Sequence, residues 1–338
     1  MWGGTGSLSL HSFPHLPQAP RMPITIVDRF PADREAERRA LVAALLAQPA
    51  SVSPKYFYDE LGCALYGAIC RLPEYYPTRT EVELFETRRP EIAAAIGRVR
   101  QFVDLGAGDC CKAKGWLNVL SPSRYVAVDI AAREIAAALE RLEPDYPELE
   151  LLGVATDFSR VLDLDGVLDD SPALFFYPGS SIGNFTPAEA TIFLARVHAY
   201  CAARPGSSLL IGVDGKKAKA TLDAAYDDAL GVTAAFNRNV LRHLNAKFGL
   251  DFDVGGFSHV GFYNEAEGRI EMHLESVRDQ VVRVGGVERA FRRGERIHTE
   301  NSYKYAPAEF EAVLADAGFA SVRRWDAKGV DYAVYHAA

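Results

Sequence analysis

Between residues 99 and 214 the chain alternates short, almost wholly apolar runs with segments whose apolar positions recur every three or four residues. "QFVDLGAGD" reads as a buried strand closed by a glycine turn. "RYVAVDI" is a second strand, and "AAREIAAALERL" follows it with Ile135, Leu139 and Leu142 at helical spacing. "LELLGVATDF", "ALFFYPGS" and "SSLLIGVDG" are three more strands. Between the last two lies "TPAEATIFLARVHAYC", in which Thr186, Pro187 and Glu189 predict a capping box with proline at the first helical position. Near-continuous apolar strands separated by helices predict a parallel sheet covered on both faces.

The texture changes twice more. Before residue 80 the pattern predicts a charged helix over Arg34 to Leu46, two further helical turns, and then a stiff, proline-bounded turn in "LPEYYPTRTE". After residue 214 a helical stretch, "ATLDAAYDDALGVTAAFNRNVLRHLNAKF", precedes alternating hairpin-like strands. "FSHVGFY" turns through "NEAEG" into "RIEMHLESV", and "QVVRV" turns through Gly285-Gly286 into "VERAF". The helix "APAEFEAVLADAGF" and the strands "SVRRWDA" and "DYAVYHA" then resume the first pattern. One domain is therefore placed at 80–214 plus 304–338, and the other at 23–79 plus 215–303. The Gly/Ser/Pro-rich residues 1–22 read as a disordered tail without the features of a signal peptide, and Met22 as an alternative start.

Composition narrows the partners. The chain has 338 residues and a formal net charge of −8. That balance argues against a nucleic-acid or anionic-membrane partner, which would want a basic face. No apolar run approaches the roughly 20 residues that span a bilayer. Five cysteines, Cys63, Cys70, Cys110, Cys111 and Cys201, fit neither a disulfide framework nor a zinc site. A reducing, cytoplasmic setting is expected, with no metal. Cys110 and Cys111 are expected to be buried spacers.

Candidate chemistry begins at Asp104-Leu105-Gly106-Ala107-Gly108. Glycines there let the backbone turn tightly and approach a ligand. Asp129 closes the next strand, where an acid takes ribose hydroxyls. A dinucleotide fingerprint wants a third glycine at position 111, which is Cys111. An S-adenosylmethionine site needs no pyrophosphate cradle. Asp157 and Phe158 end the third strand, where a carboxylate and a ring can hold an adenine. The alternative is an α/β turn that holds no ligand.

Several stretches together resemble one family. "SPKYFYDELGCALYGAICRLPEYYPTRTE", "VDLGAGD", "ATDF", "GSSIGNF", "AAYDDALGVTAAFNRNVLRHLN", "RIEMHLES" and "HTENSYKY" look, in this order, like the histidine-specific N-alpha-methyltransferases of ergothioneine biosynthesis. The resemblance runs from Ser53 to the C-terminus. It implies an α/β fold, a class I methyltransferase Rossmann-like sheet with an inserted α+β substrate domain. It also implies that S-adenosyl-L-methionine donates three methyls to the α-amine of L-histidine, giving hercynine, in a monomer. Fungal relatives methylate a tryptophan-derived amine, so another aromatic amino acid such as tryptophan or tyrosine is the alternative substrate.

Roles follow from that resemblance residue by residue. Tyr58 and Tyr75 match tyrosines of the amino-acid pocket and are the catalytic candidates; Tyr76 is assigned to packing. Asn184 and Tyr226 match residues that hold the substrate backbone. Met272 sits where the substrate ring packs, and Glu300 and Ser302 match the pair that reads the imidazole. On the cofactor side Gly106, Gly108, Lys112, Asp129, Asp157 and Phe158 match. "GDCCK" departs from the small, polar spacing usual before that lysine, which bears on the cofactor contacts of the loop.

The residue types suit methyl transfer, whose main demand is to hold the amine close and aligned. Phenols accept and donate hydrogen bonds without adding charge, and an aromatic wall tolerates the growing bulk of three transfers. Two other readings fit the residues less well. An S-adenosylmethionine-binding scaffold without catalysis sits badly with an intact set of pocket polar groups. A nicotinamide oxidoreductase sits badly with Cys111.

Overall fold

A computed structural model describes residues 23–29 and 34–338. The expected tail over 1–22 and the start at Met22 lie outside the described residues. The chain opens with β1 (Thr25–Asp28), α1 (Arg34–Leu46), the short β2 (Ala50–Ser51), α2 (Glu60–Ile69) and α3 (Tyr76–Ile96). The alternating part follows as β3 (Gln101–Leu105), α4 (Cys111–Leu120), β4 (Arg124–Asp129), α5 (Ala132–Leu142), β5 (Glu150–Ala155), β6 (Ala173–Tyr177), α6 (Pro187–Ala202) and β7 (Ser208–Asp214). Next come α7 (Lys219–Tyr226), α8 (Val232–Phe248), β8 (Phe257–Asn264), β9 (Arg269–Ser276), β10 (Gln280–Val284), β11 (Val287–Phe291) and β12 (Arg296–Tyr303). The chain closes with α9 (Pro307–Asp316), β13 (Val322–Asp326) and β14 (Tyr332–Ala337).

The main sheet has eight strands in the order β1-β5-β4-β3-β6-β7-β14-β13. Strands β1 to β7 within it run parallel, and β14 pairs antiparallel with both β7 and β13. From β3 the chain winds outward through β4 and β5, then returns to add β6 and β7 on the other side. Strand order therefore reverses between β3 and β6, where the carboxyl ends of a doubly wound sheet leave a crevice. Every residue of β3, β6 and β7 is buried, which is why these strands read as unbroken apolar runs. The capping box of α6 forms as predicted: Glu189 N–H donates to Thr186 Oγ1 at 3.3 Å and Thr186 N–H to Glu189 Oε2 at 2.9 Å.

A second sheet, β2-β12-β9-β8, carries the hairpin β10–β11 beside it. Gly285 and Gly286 both have positive φ, +61° and +86°, as a two-residue hairpin turn requires. Tyr75, Tyr76, Tyr226, Met272 and Ile297 belong to the core of this unit, and Leu84, Trp116, Tyr125 and Phe176 to a core on one face of the main sheet.

Two expectations change. Thr25–Asp28 pairs in parallel with β5, so residues 23–29 lie with the main sheet and not with the second unit. "LPEYYPTRTE" is only half a turn, because α3 begins at Tyr76 with Pro77 in its first turn. A proline there loses no intrahelical hydrogen bond. The helix then runs 21 residues, through Pro90, across the residue 79/80 boundary. Its buried Leu84, Phe85, Ile92 and Ile96 anchor it on both sides of that proline.

Candidate active site

The glycine turn leaves β3 with Gly106 at φ +73° and Gly108 at φ +52°. Gly106 N–H reaches Val128 O at 2.8 Å, which ties the turn to β4. At the end of β4, Asp129 Oδ2 accepts from Gly108 N–H at 2.9 Å, and Oδ1 accepts from Ile130 and Ala131 N–H at 2.7 and 3.1 Å. A carboxylate offers about four acceptor positions, so one remains for a ribose hydroxyl and not the two that an unencumbered acid would offer. Burial raises the Asp129 carboxyl, and the three N–H donors pull it back. Phe158 Cζ lies 3.8 Å from where a Gly106 Cβ would stand, so bare glycine lets the ring lie over the turn. Asp157 accepts from Ser159 and faces the Lys55 ammonium at 3.7 Å.

Lys112 stands beyond the turn, on α4, and pairs with Glu81 of α3 at 2.8 Å. Burial would lower its ammonium, but the Glu81 carboxylate outweighs that and raises it. A Cβ on Gly179 would meet Lys112 Nζ at 2.9 Å, which places the ammonium at the carboxyl end of β6. One acceptor position on an acid, an aromatic ring over glycine and a cation across the switch point fit an adenosyl group with an amino-acid tail. Of the two cysteines expected to be buried, only one is. Cys110 is buried at φ +61°, but Cys111, the first residue of α4, is exposed.

Across the crevice lies a pocket lined by Tyr58, Tyr66, Tyr75, Asn184, Tyr226, Phe236, Met272, Glu300 and Ser302, with Gly179 and Ser180 on its cofactor side. It gathers every residue expected at the substrate site. Tyr58 follows the single 3₁₀ turn Pro54–Phe57. Tyr75 is the residue before α3, and its ring stands edge-on to Tyr226 at 6.0 Å. Burial holds the Tyr58 and Tyr75 phenols well above the ordinary value, so both are neutral donors and acceptors at neutral pH. Met272 and Glu300 are cross-strand partners on β9 and β12, after a bulge between His298 and Glu300.

Glu300 has its carboxyl pushed up to about 7 by burial, against the pull of the Lys304 ammonium and the Asn184 amide. Asn184 therefore faces Glu300, on the one-turn helix Ser181–Asn184. Beneath the pocket runs a polar chain that sequence reading did not find. Lys304 Nζ donates to Tyr226 Oη at 3.0 Å and Ser302 Oγ at 2.9 Å, and pairs with Asp214 Oδ2 at 3.0 Å. Asp214 also accepts from Tyr76 at 2.6 Å and Lys217 at 2.6 Å. Tyr76 is thus packed, as expected, with its hydroxyl spent on that acid. Tyr66 and Phe236 were also missed. Both lie inside stretches that carried the family resemblance, on the inward faces of α2 and α8, and only the fold sets their rings beside Tyr58, each at 6.1 Å.

The doubly wound order, a glycine turn at its switch point and an acid ending the next strand define a class I methyltransferase. Residues 37–338 match the family described as histidine-specific methyltransferase, SAM-dependent, and the chain belongs to that family. It is 40% identical over 309 residues to the histidine N-alpha-methyltransferase of Mycobacterium tuberculosis, covering 90% of this chain and 95% of that protein. It is 39% identical to the protein of the same name from Mycolicibacterium smegmatis, covering 92% and 98%. Ergothioneine biosynthesis protein 1 of Neurospora crassa is 29% identical over 82% of this chain, which spans 32% of that longer protein.

Proposed function

We propose that this enzyme trimethylates the α-amine of L-histidine to hercynine, the first step of ergothioneine biosynthesis. The observation that carries the reading is the half-buried Glu300 carboxyl beside the Ser302 hydroxyl on one strand of an aromatic pocket at the switch point. A carboxylate accepts an imidazole N–H, and the hydroxyl serves the other ring nitrogen. Phenylalanine would leave that acceptor unpaired, and an indole or a phenol would leave Ser302 without its ring nitrogen.

S-adenosyl-L-methionine would be held by Gly106, Gly108, Asp129, Phe158 and Lys112, with Asp157 beside them, and supplies an electrophilic sulfonium methyl. The chain's part is to present a neutral amine in line. An α-amino group has a pKa of about 7.7–8.0 in model peptides and a higher one in a free amino acid, so the pocket's task is to orient the lone pair and let the proton escape to water. Tyr58 and Tyr75 orient the lone pair, Asn184 and Tyr226 hold the substrate backbone, and Met272 packs the ring. The unit formed by 215–303 with α1 and α2 is the substrate-binding half. The charge of −8 suits a small-molecule partner and neither nucleic acid nor an anionic membrane. Five unpaired cysteines suit the cytoplasm, and among the described residues no helix is long and apolar enough to cross a membrane.

Purified protein with S-adenosylmethionine and the twenty amino acids, read by mass spectrometry, tests this. Mono-, di- and trimethylated histidine are expected. Methylation of tryptophan or tyrosine in place of histidine would overturn the substrate assignment.

A further inference from the structure

The polar chain beneath the pocket does more than bury a charge. Lys304 and Asp214 are fully buried on the floor of the site. Burial alone would lower the Lys304 ammonium, but Asp214 and Tyr226 outweigh it and keep it charged. An ammonium has three N–H donors and no acceptor. All three have partners: Asp214 Oδ2, Tyr226 Oη and Ser302 Oγ. Tyr226 Oη and Ser302 Oγ are themselves 2.9 Å apart, and the phenol, the stronger acid, donates to the aliphatic hydroxyl. Ser302 Oγ thus accepts twice, from Lys304 and from Tyr226. A hydroxyl has two acceptor positions and one hydrogen. Both positions are filled, and only the hydrogen remains to face the pocket that Ser302 lines.

We infer that Lys304 is a specificity-determining positioning residue, which makes Ser302 an obligate hydrogen-bond donor and so selects a substrate ring bearing an unprotonated nitrogen. Glu300, two residues along the same strand, supplies the acceptor. The pair presents one acceptor and one donor, the complement of a neutral imidazole with its N–H and its lone pair. A ring with a single N–H and carbon in place of the second nitrogen leaves the Ser302 hydrogen unpaired, and that buried donor is costly. Without Lys304, one Ser302 acceptor position opens and the hydroxyl is free to turn.

This inference rests on the assignment of the pocket to histidine, and its test separates the two. Binding is measured by calorimetry in the presence of S-adenosylhomocysteine. The ligands are L-histidine and the pyrrol-2-yl and pyrrol-3-yl alanines, isosteres in which one ring nitrogen is replaced by carbon. The wild type is expected to bind histidine at least tenfold more tightly than the better pyrrole. In Lys304→Met and Lys304→Gln that ratio is expected to fall at least threefold, whatever happens to histidine affinity itself. Unaltered S-adenosylhomocysteine affinity certifies the fold, because Lys304 lies outside the cofactor loop. A ratio that stays at the wild-type value in either folded variant overturns the role of Lys304. If neither variant folds, the wild type still decides, since equal affinity for histidine and the better pyrrole overturns the obligate donor. Absence of histidine binding in the wild type would overturn the reading of the pocket, and the inference with it.

Discussion

Glu300 combines a raised carboxyl with the role proposed for it in substrate choice. Its folded-state carboxyl titrates at about 7, above its unbound value of 4.5. The native state therefore holds the proton more tightly than the unfolded chain, and the stability this gives is present below about pH 4.5 and lost as pH rises through about 7. Asp104, fully buried under Tyr125, is pushed up to about 7 as well and contributes in the same window. Glu300→Gln should thus weaken, without abolishing, the fall in stability between pH 5 and 7, as read by urea denaturation at several pH values; an unaltered slope would place that titration elsewhere. For activity, Glu300→Ala removes the acceptor that the proposed site offers the imidazole N–H. We expect at least a tenfold loss of kcat/KM on histidine and a relative gain on tryptophan or phenylalanine. Competition on an equal mixture decides, and an unchanged histidine preference would mean the ring is read elsewhere. On the cofactor side, if Asp129 takes a ribose hydroxyl as proposed, Asp129→Ala gives up one charge-assisted bond, about 1.5–3 kcal/mol, or roughly tenfold or more in S-adenosylhomocysteine affinity. Unchanged calorimetric affinity in a folded variant would remove Asp129 from the site.

At the scale of elements, the site depends on how closely a one-turn helix approaches a strand. Gly183 on the turn Ser181–Asn184 has space for no Cβ: one would meet Tyr303 O at 2.8 Å and Ser302 Oγ at 3.2 Å. That approach sets Asn184 against Glu300 on β12. Asn184→Ala and Tyr226→Phe are each expected to raise the histidine KM while cofactor affinity holds. Tyr226→Phe also leaves one Lys304 N–H unpaired, at about 1–3 kcal/mol of stability. Wild-type kcat/KM in either variant would withdraw that residue from the substrate site. The strands β3 to β7 were legible in the sequence because both faces are buried, so apolar runs and helical spacing alternate without ambiguity. The glycine turn and Asp129 were legible because φ > 0 and a fixed distance leave a local mark. The second half of "LPEYYPTRTE" was not, since Pro77 and Pro90 read as breaks while one sits harmlessly in a first turn and the other is held by tertiary packing. Nor was β1, whose four residues are mostly exposed and gain a ladder only from β5, more than 120 positions away. Lys304 carried little local signal, because two of its three partners, Asp214 and Tyr226, come from β7 and α7, and only the fold brings them to it.

Across the whole molecule, one helix passes through both cores. Tyr76 of α3 belongs to the core of the second unit, and Leu84 and Phe85, two turns on, belong to the core under the main sheet. Between them Glu81 is fully buried. Its carboxylate accepts from Lys112 at 2.8 Å, from Gly179 N–H at 2.6 Å and from the Tyr332 hydroxyl at 2.6 Å. It thus joins the cofactor loop, the end of β6 and the antiparallel strand β14 to the helix that carries Tyr75 into the pocket. The packing around it is closed: a Cβ on Gly212 would stand 2.1 Å from Glu81 Oε1 and 2.5 Å from the Tyr332 hydroxyl. The Lys112 side chain is 31% exposed and regains water when freed, so the cost of losing Glu81 is that of its charge-assisted bonds to Gly179 N–H and the Tyr332 hydroxyl, about 3–6 kcal/mol together. Glu81→Ala should therefore destabilise the protein by roughly that amount, and more than Tyr332→Phe, which gives up a single hydroxyl bond worth about 1.5–3 kcal/mol. Urea denaturation of the two variants checks the order. The same substitution should loosen Lys112, so S-adenosylhomocysteine affinity should fall in Glu81→Ala and hold in Tyr332→Phe. Equal losses of stability in the two variants would mean that the Gly179 bond to Glu81 adds nothing measurable, and that the two halves are held together by their apolar cores alone.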